Sequence, residues 1–138
     1  MDVLDYLPQE TEGRDSVLQI LQGLAQAMVR YQDPQSGTWY QVTDQGARKG
    51  NYLESSATAL FIYTLAKAIN EGYIGNEYIT PVQKAFDGMI REFTRLEEDG
   101  TYTLTHCCAV AGLGGNSGKY RDGSFEYYIG GPVVENDP

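Results

Sequence analysis

The sequence predicts an all-α fold in which three long helices are joined by connections that contain short strand-like segments. Apolar residues recur at three- and four-residue spacing over residues 15–31 and 81–98, which predicts two amphipathic helices. Residues 54–71 are apolar on nearly every side, which predicts a helix buried on several sides. Neither a repeat nor a domain boundary is visible, so we expect a single domain over residues 1–138, arranged as helical hairpins.

The first predicted helix covers residues 15–31, and its apolar stripe includes Leu21 and Met28. Asp15 or Ser16 is the expected N-cap, because a short polar side chain can accept a hydrogen bond from the free N–H groups of the first turn. An Asp-Pro turn signal follows this helix and ends it.

The connection over residues 35–50 holds the only tryptophan, and the alternating residues 38–42 predict a short strand there. The second helix, over residues 54–71, is expected to end at Gly72, since glycine readily adopts the left-handed conformation that follows a helix.

The third predicted helix, over residues 81–98, has a start signature in which Thr80 is the N-cap and Pro81 takes the first helical position. An Asp-Gly turn at residues 99–100 then leads into a predicted strand over residues 101–105.

The charge of the chain limits its partners. Its formal net charge is −9 and no basic stripe is present, which excludes a nucleic-acid partner. No apolar run approaches the ~20 residues of a membrane span, and the N-terminus lacks the basic segment of a signal peptide. We therefore expect a cytoplasmic protein with no membrane partner, in which an anionic ligand has to be met by a local cation.

The sequence offers no cofactor or metal site. His106, Cys107 and Cys108 are adjacent, whereas zinc sites need about four ligands at wider spacing. The glycines of residues 111–118 lack phosphate-loop spacing between a strand and a helix, so we expect no nucleotide. A lone histidine such as His106 is more often a structural residue than a catalyst.

The C-terminal stretch combines aromatic and charged residues beside that glycine-rich run, and loops of this kind often carry ligand contacts. Arg121 and Tyr127 are the candidate binding residues, because the planar guanidinium suits a carboxylate. Arg121 could equally pair with Asp122 or Glu126, which would give it a structural role.

A second candidate group lies just before the predicted helix over residues 54–71. Arg48, Asn51 and Tyr52 could bind an anion together with the free N–H groups at the helix start. Alternatively, Glu54 or one of the following serines caps the helix, and the cationic side chains of Arg48 and Lys49 are only solvated.

Trp39 and Tyr40 could stack on a sugar ring, although Trp39 could instead anchor the connection in the core. Glycoside hydrolysis uses two carboxylates, and Glu126, Glu135 and Asp137 are available near the C-terminus. Their spacing fixes no pair across a pocket, so the catalytic residue is not assigned.

Six blocks stand out along the chain. They are Arg30-Tyr31-Gln32-Asp33-Pro34, Gly37-Thr38-Trp39-Tyr40-Gln41-Val42, Gly50-Asn51-Tyr52-Leu53-Glu54-Ser55-Ser56-Ala57, Ala109-Val110-Ala111-Gly112-Leu113-Gly114, Arg121-Asp122-Gly123-Ser124-Phe125-Glu126-Tyr127-Tyr128 and Val133-Val134-Glu135-Asn136-Asp137-Pro138. In this order they resemble blocks of the bacterial unsaturated rhamnogalacturonyl hydrolases, glycoside hydrolases that act on unsaturated uronic acids.

The resemblance implies the C-terminal part of an (α/α)6 barrel, with residues 54–71 as an inner helix and residues 81–98 as an outer helix. Family members remove a terminal unsaturated galacturonic acid from rhamnogalacturonan oligosaccharides during pectin degradation. The C4–C5 double bond is protonated and water adds at C5. The resemblance implies an unsaturated oligosaccharide as ligand and no cofactor.

In the family, the aspartate that acts as general acid and base lies in the N-terminal half of the barrel, as does a Trp-Ala-Arg-Gly motif. The resemblance therefore implies a chain that is inactive without that half. We expect the open barrel face to pair with the N-terminal half or with a second copy, since exposed apolar patches mark interaction surfaces. The alternative is a non-catalytic carbohydrate-binding or assembly module that oligomerises through this face.

Overall fold

Three long helices carry the fold in this computed structural model, which describes residues 1–46, 48–115 and 121–136. Helix α1 is Arg14–Arg30, α2 is Ser55–Asn70 and α3 is Ile79–Phe93, so the three predicted helices are confirmed. A short helix, α4, follows at Phe125–Ile129.

The helix ends differ from the prediction at two places. The N-cap of α1 is Gly13, with φ of 82° and no side-chain cap, so the expected cap at Asp15 or Ser16 is wrong. Helix α3 begins at Ile79, directly after a 3-10 turn, which places Thr80 inside the helix instead of at its cap. The end of α2 is as predicted, since Gly72 has φ of 70° and donates its N–H to Ile69 O at 3.0 Å.

A three-stranded antiparallel sheet corrects the all-α expectation. Its strands are β1 at Thr94–Leu96, β2 at Tyr102–Cys108 and β3 at Val133–Asn136, in the order β1-β2-β3. The predicted third helix therefore stops at Phe93, because the backbone of the following residues pairs with β2. The strand predicted over residues 38–42 is reduced to a single bridge between Tyr40 and Leu53.

The turn between β1 and β2 and the ion pair between Arg95 and Glu135 stabilise the sheet. At the predicted Asp-Gly turn, Asp99 Oδ1 accepts the Thr101 N–H at 2.9 Å, and Gly100 has φ of 86°. Arg95 reaches across β2 and binds both carboxylate oxygens of Glu135 at 2.7 Å. The guanidinium lowers the pKa of the Glu135 carboxyl. This pair therefore ties the two edge strands together.

The core lies between α1, α2 and α3. Its buried residues are Ala25, Met28, Trp39, Leu65 and Ala85. A second cluster, formed by Leu4, Leu21 and Ala68, packs the N-terminal 3-10 turn on α1 and α2.

The connection between α1 and α2 passes directly over α3. It comes so close that a Cβ at Gly88 would lie 2.0 Å from Ser36 O. Arg91 Nη2 donates to the same oxygen at 2.9 Å, which fixes the connection on the helix.

The buried-helix prediction holds for only part of α2. Leu60 is 63% exposed and Tyr63 is 48% exposed, although Leu65 and Ala68 are fully buried. On α3, Phe86 is also half exposed. Within the described residues, no helix is both long enough and apolar enough to cross a membrane.

Candidate functional site

Arg48 joins two parts of the chain that are far apart in sequence. Its guanidinium carbon lies 3.7 Å from the centre of the Phe125 ring, and its Nη2 pairs with Glu126. Its Nη1 donates to Gln45 Oε1 at 2.8 Å. Gly50 lies against Ile129 at the other end of α4. The segment before α2 and the C-terminal stretch therefore form one surface.

The start of α4 is built from local hydrogen bonds. Ser124 Oγ accepts the Tyr127 N–H at 3.1 Å, as an N-cap does. Asp122 Oδ1 accepts the Ser124 N–H at 2.9 Å, and this bond lowers the pKa of the Asp122 carboxyl. These bonds set the direction of the aromatic side chains on α4.

Tyr127 holds the loop that follows β2. Its hydroxyl accepts the Gly112 N–H at 3.2 Å. Gly114 and Arg121 exchange two backbone hydrogen bonds, at 3.0 and 3.1 Å. The Tyr127 and Tyr128 ring centres are 5.2 Å apart. Residues 116–120, which contain part of the predicted glycine-rich run, lie outside the described residues.

Arg121 is exposed and carries a guanidinium with no carboxylate partner in the part of the chain that the structure describes. Both expected structural partners are engaged elsewhere, since Asp122 accepts the Ser124 N–H and Glu126 pairs with Arg48. The guanidinium lies close to the main chain of Gly112, because a Cβ at Gly112 would be 3.2 Å from Arg121 Nη1. Neither of the two structural pairings expected for Arg121 is therefore formed within the described residues.

Asn51 has a structural task in the same region. Its Nδ2 donates to Val42 O and to Gln45 O, both at 2.9 Å. Its Oδ1 accepts the N–H groups of Val42 and Tyr52, at 3.2 and 3.1 Å. An amide side chain has little capacity beyond two donors and two acceptors, so Asn51 shapes the loop and has no group free for a ligand.

Tyr52 keeps its hydroxyl buried, and this oxygen has no hydrogen-bond partner within the described residues. Burial raises the pKa of the Tyr52 phenol, with the Cys108 thiol as a second cause. The phenol is thus a neutral group beside β2.

Glu54 is the N-cap of α2 and is only 1% exposed. Oε1 accepts from the Ser56 N–H at 3.1 Å, the Ser56 hydroxyl at 2.7 Å and the Cys108 N–H at 2.9 Å. Oε2 accepts from the Ala57 N–H at 2.6 Å. The expected cap is therefore confirmed as Glu54, so the N–H groups at the helix start bind a protein carboxylate instead of an anionic ligand. The second half of that alternative is wrong for Arg48, which pairs with Glu126.

Trp39 lies in the core, at 1% exposure. Its Nε1 donates to Met28 O at 2.7 Å, and its ring meets Phe61 edge-on with centres 5.2 Å apart. This geometry favours the anchoring alternative over stacking on a sugar.

Tyr40 faces a different part of the surface. It lines a cavity of ≈ 450 Å³ at the C-terminal end of α1. Its neighbour Gln41 points the other way, with Nε2 3.3 Å from Cys108 Sγ. The predicted binding residues are thus divided among the core, this cavity and the surface around Arg48.

The two candidate carboxylates that the structure describes, Glu126 and Glu135, are each paired with an arginine and not with one another. Glu126 pairs with Arg48, and Glu135 pairs with Arg95. Asp137, the third candidate, lies outside the described residues. His106 is exposed at a bulge in β2, with φ of 61°, and its Nδ1 lies 2.9 Å from the Thr105 hydroxyl.

The whole chain matches one protein family. The model of Glycosyl Hydrolase Family 88 matches residues 1–138. The chain belongs to this family. The resemblance read from the six sequence blocks is confirmed at this level.

Curated relatives of this family 88 chain are 35% identical to it in a 144-residue alignment that covers 99% of the chain. They are Protein Atu3128 of Agrobacterium fabrum and the 24.9 kDa protein in picA locus of Rhizobium radiobacter. The chain spans 60% of the length of these relatives.

Solved structures support the same assignment. A family 105 glycoside hydrolase of C. acetobutylicum superposes with a TM-score of 0.92 at 40% identity, covering 99% of this chain and 37% of that one. A possible family 105 member from Klebsiella pneumoniae gives 0.71 at 26% identity, covering 94% and 29%. A family 88 hydrolase of Bacteroides vulgatus gives 0.62 at 26% identity, covering 93% and 36%.

The sequence predicts none of the contacts around Arg48, and it suggests Glu126 only as a partner for Arg121 or as one of the candidate carboxylates. Phe125 and Glu126 hold Arg48, and Gln45 completes its contacts. Only the unusual concentration of aromatic and charged residues at 125–128 signalled them, and it gave no indication of their partner in residues 45–50.

Proposed function

We propose that this chain is the part of a glycoside hydrolase that binds an unsaturated galacturonic acid at the end of a rhamnogalacturonan oligosaccharide. The enzyme removes that residue by hydration of its double bond. Family membership supports glycoside hydrolysis. Recognition of the uronate carboxylate is supported by the guanidinium of Arg121, which has no carboxylate partner among the described residues, and the linkage is what the resemblance to the rhamnogalacturonyl hydrolases implies.

Arg121 suits the carboxylate of a uronic acid. A bidentate guanidinium–carboxylate pair has the planar fit that two parallel N–H···O bonds need. The net charge of −9 opposes anions at long range, so an unpaired cation at the binding surface has to supply the local attraction. Tyr127 accepts the Gly112 N–H, two residues before Gly114, whose main chain is hydrogen-bonded to that of Arg121.

Hydration of the double bond needs a proton donor, and none is assigned among the described residues. Glu54, Glu126 and Glu135 are all held by protein groups. A general acid has to lie within hydrogen-bond reach of the reacting carbon and keep a proton to give. We therefore propose that the acid comes from the N-terminal half of the barrel.

The test measures the affinity of an unsaturated galacturonyl-rhamnose disaccharide by calorimetry. Arg121→Gln should weaken binding by about tenfold to a hundredfold, since a charge-assisted hydrogen-bond pair contributes roughly 1.5–3 kcal/mol. Lys49→Gln is the control, because Lys49 is an exposed cation without a side-chain bond in the described part of the chain. Equal affinity of wild type and Arg121→Gln would refute the proposed site.

Activity is measured as loss of the double-bond absorbance. We expect no loss with this chain alone and a loss when the N-terminal half of a family 105 relative is added. Turnover by the chain alone would show that an acid lies within it, and Asp137 would be the first residue to replace by Asn.

An assembly function is favoured by a separate observation. Leu60, Tyr63, Phe86 and Ile90 are exposed on α2 and α3, at 63%, 48%, 53% and 49%. Large apolar groups at neighbouring positions mark interaction surfaces. We expect a second copy or the N-terminal half to cover them. A monodisperse monomer in sedimentation, with stability that does not change on dilution, would count against self-association.

A further inference from the structure

The cavity at the C-terminal end of α1 has the lining of a saccharide site. Its volume is ≈ 450 Å³, inside the range of about 300–1,000 Å³ that is usual for small-molecule sites. The side chains that bear on its chemistry are Arg30, Tyr31, Asp33, Tyr40 and Asp44. The Arg48 surface shares none of these residues.

Two aromatic rings give the cavity its apolar part. Gly46 lies against the Tyr40 ring, since a Cβ at Gly46 would be 2.8 Å from ring atom Cδ2. Tyr40 is therefore backed by the main chain in a fixed position. Tyr31 is the second ring, with the Arg30 guanidinium carbon 5.6 Å from its centre. The C–H face of a pyranose packs well on such rings, because aromatic faces carry partial negative charge.

The polar groups of the cavity suit hydroxyls more than a carboxylate. Arg30 has no carboxylate partner among the described residues. Asp33 uses Oδ2 for the N–H groups of Gln35 and Ser36 and for the Ser36 hydroxyl. Asp44 is exposed on a 3-10 turn, and its side chain makes no hydrogen bond within the described part of the chain. With two carboxylates to one guanidinium, the cavity disfavours a further negative charge.

We propose that this cavity binds a neutral pyranose unit of a saccharide, packed on Tyr40 and hydrogen-bonded through Asp44 and Arg30. The choice of a saccharide rests on the proposed function. The two sites differ in charge: Arg121 binds the uronate, whereas this cavity binds an uncharged sugar of the same class of oligosaccharide.

The test is a titration of the 138-residue chain, followed by NMR, with methyl galactoside, methyl rhamnoside and galacturonate as probes. At least one neutral glycoside should bind saturably, with shifts at Tyr40 and Asp44. Galacturonate should bind more weakly than methyl galactoside, because it has a carboxylate in place of the C6 hydroxymethyl group; it otherwise lacks only the anomeric methyl group. Tyr40→Ala should weaken the neutral sugar by about tenfold or more.

Asp44→Asn is the second variant, and because this side chain is exposed its loss does not endanger folding. It should also weaken the neutral sugar, whereas Arg121→Gln should leave that binding unchanged. The proposal is overturned if neither neutral glycoside saturates, if both cavity variants bind like wild type, or if galacturonate binds more tightly than the galactoside. Failure of the Arg121 site would appear only with the unsaturated disaccharide, so the two proposals can fail separately.

Discussion

Replacing Glu54 by Gln tests how the start of α2 is joined to the sheet. The change keeps the size of the side chain and its oxygen toward Ser56 and Cys108. In the wild type, the Ala57 N–H donates to Glu54 Oε2 at 2.6 Å. The substitution places an NH₂ group at the position of this oxygen. Two donors then face each other in a position that water does not reach.

The magnitude follows from the contacts that are lost. A hydrogen bond to a charged group contributes about 1.5–3 kcal/mol. A negative charge at a helix N-terminus adds about 0.3–1 kcal/mol. Glu54→Gln should therefore lower the free energy of unfolding by about 2–4 kcal/mol. With roughly 3 °C per kcal/mol for a domain of this size, Tm should fall by about 6–12 °C.

The assay is urea and thermal unfolding followed by circular dichroism. Glu98→Gln is the matched control, because Glu98 is exposed and makes no side-chain hydrogen bond within the described residues. This control should lie within about 0.5 kcal/mol of wild type. The reasoning is refuted if Glu54→Gln is as stable as the control, since the buried carboxylate would then not hold the four donors.

Two further predictions concern packing and pH. Gly88→Ala should lower the free energy of unfolding by about 1–3 kcal/mol, because the new methyl group would lie 2.0 Å from Ser36 O. Gly23→Ala, where nothing lies within 4 Å of the new methyl group, should raise it by about 0.5–1 kcal/mol. Thermal unfolding measures both changes. A stabilised Gly88→Ala would contradict the close approach. The raised pKa of Tyr52 stabilises the folded chain below about pH 10, the ordinary tyrosine value, and this contribution is lost as the pH rises above it. Tyr52→Phe should therefore lose less stability than wild type between about pH 7 and about pH 11 in urea titrations, and parallel losses would count against the buried phenol.

The three long helices could be predicted because their apolar periodicity is local information. The strand at Thr94–Leu96 could not, since its residues continue a helical pattern and become a strand only by pairing with Tyr102–Leu104. The same limit applies to β3, whose partner β2 is distant in sequence. Pairing energy between segments does not appear in a single window of sequence.

The candidate site shows the same division. Arg48, Arg121 and Tyr127 were found from residue type, and the structure places them on one connected surface. The roles of Trp39 and Asn51 depend on what surrounds them. Trp39 has a structural role because it is buried, and Asn51 has one because its amide group is fully hydrogen-bonded. Neither property can be read from the residue type.

The Glu54 carboxylate also has a consequence for hydrogen exchange. It binds the amides of Ser56 and Ala57 in α2 and the amide of Cys108 at the end of β2. Amides that share one buried acceptor become exposed to solvent in the same opening event. These three should exchange with a common protection factor, although the helix and the strand are more than fifty residues apart in the sequence. The end of β2 at Cys108 and the first turn of α2 then open together as one cooperative unit.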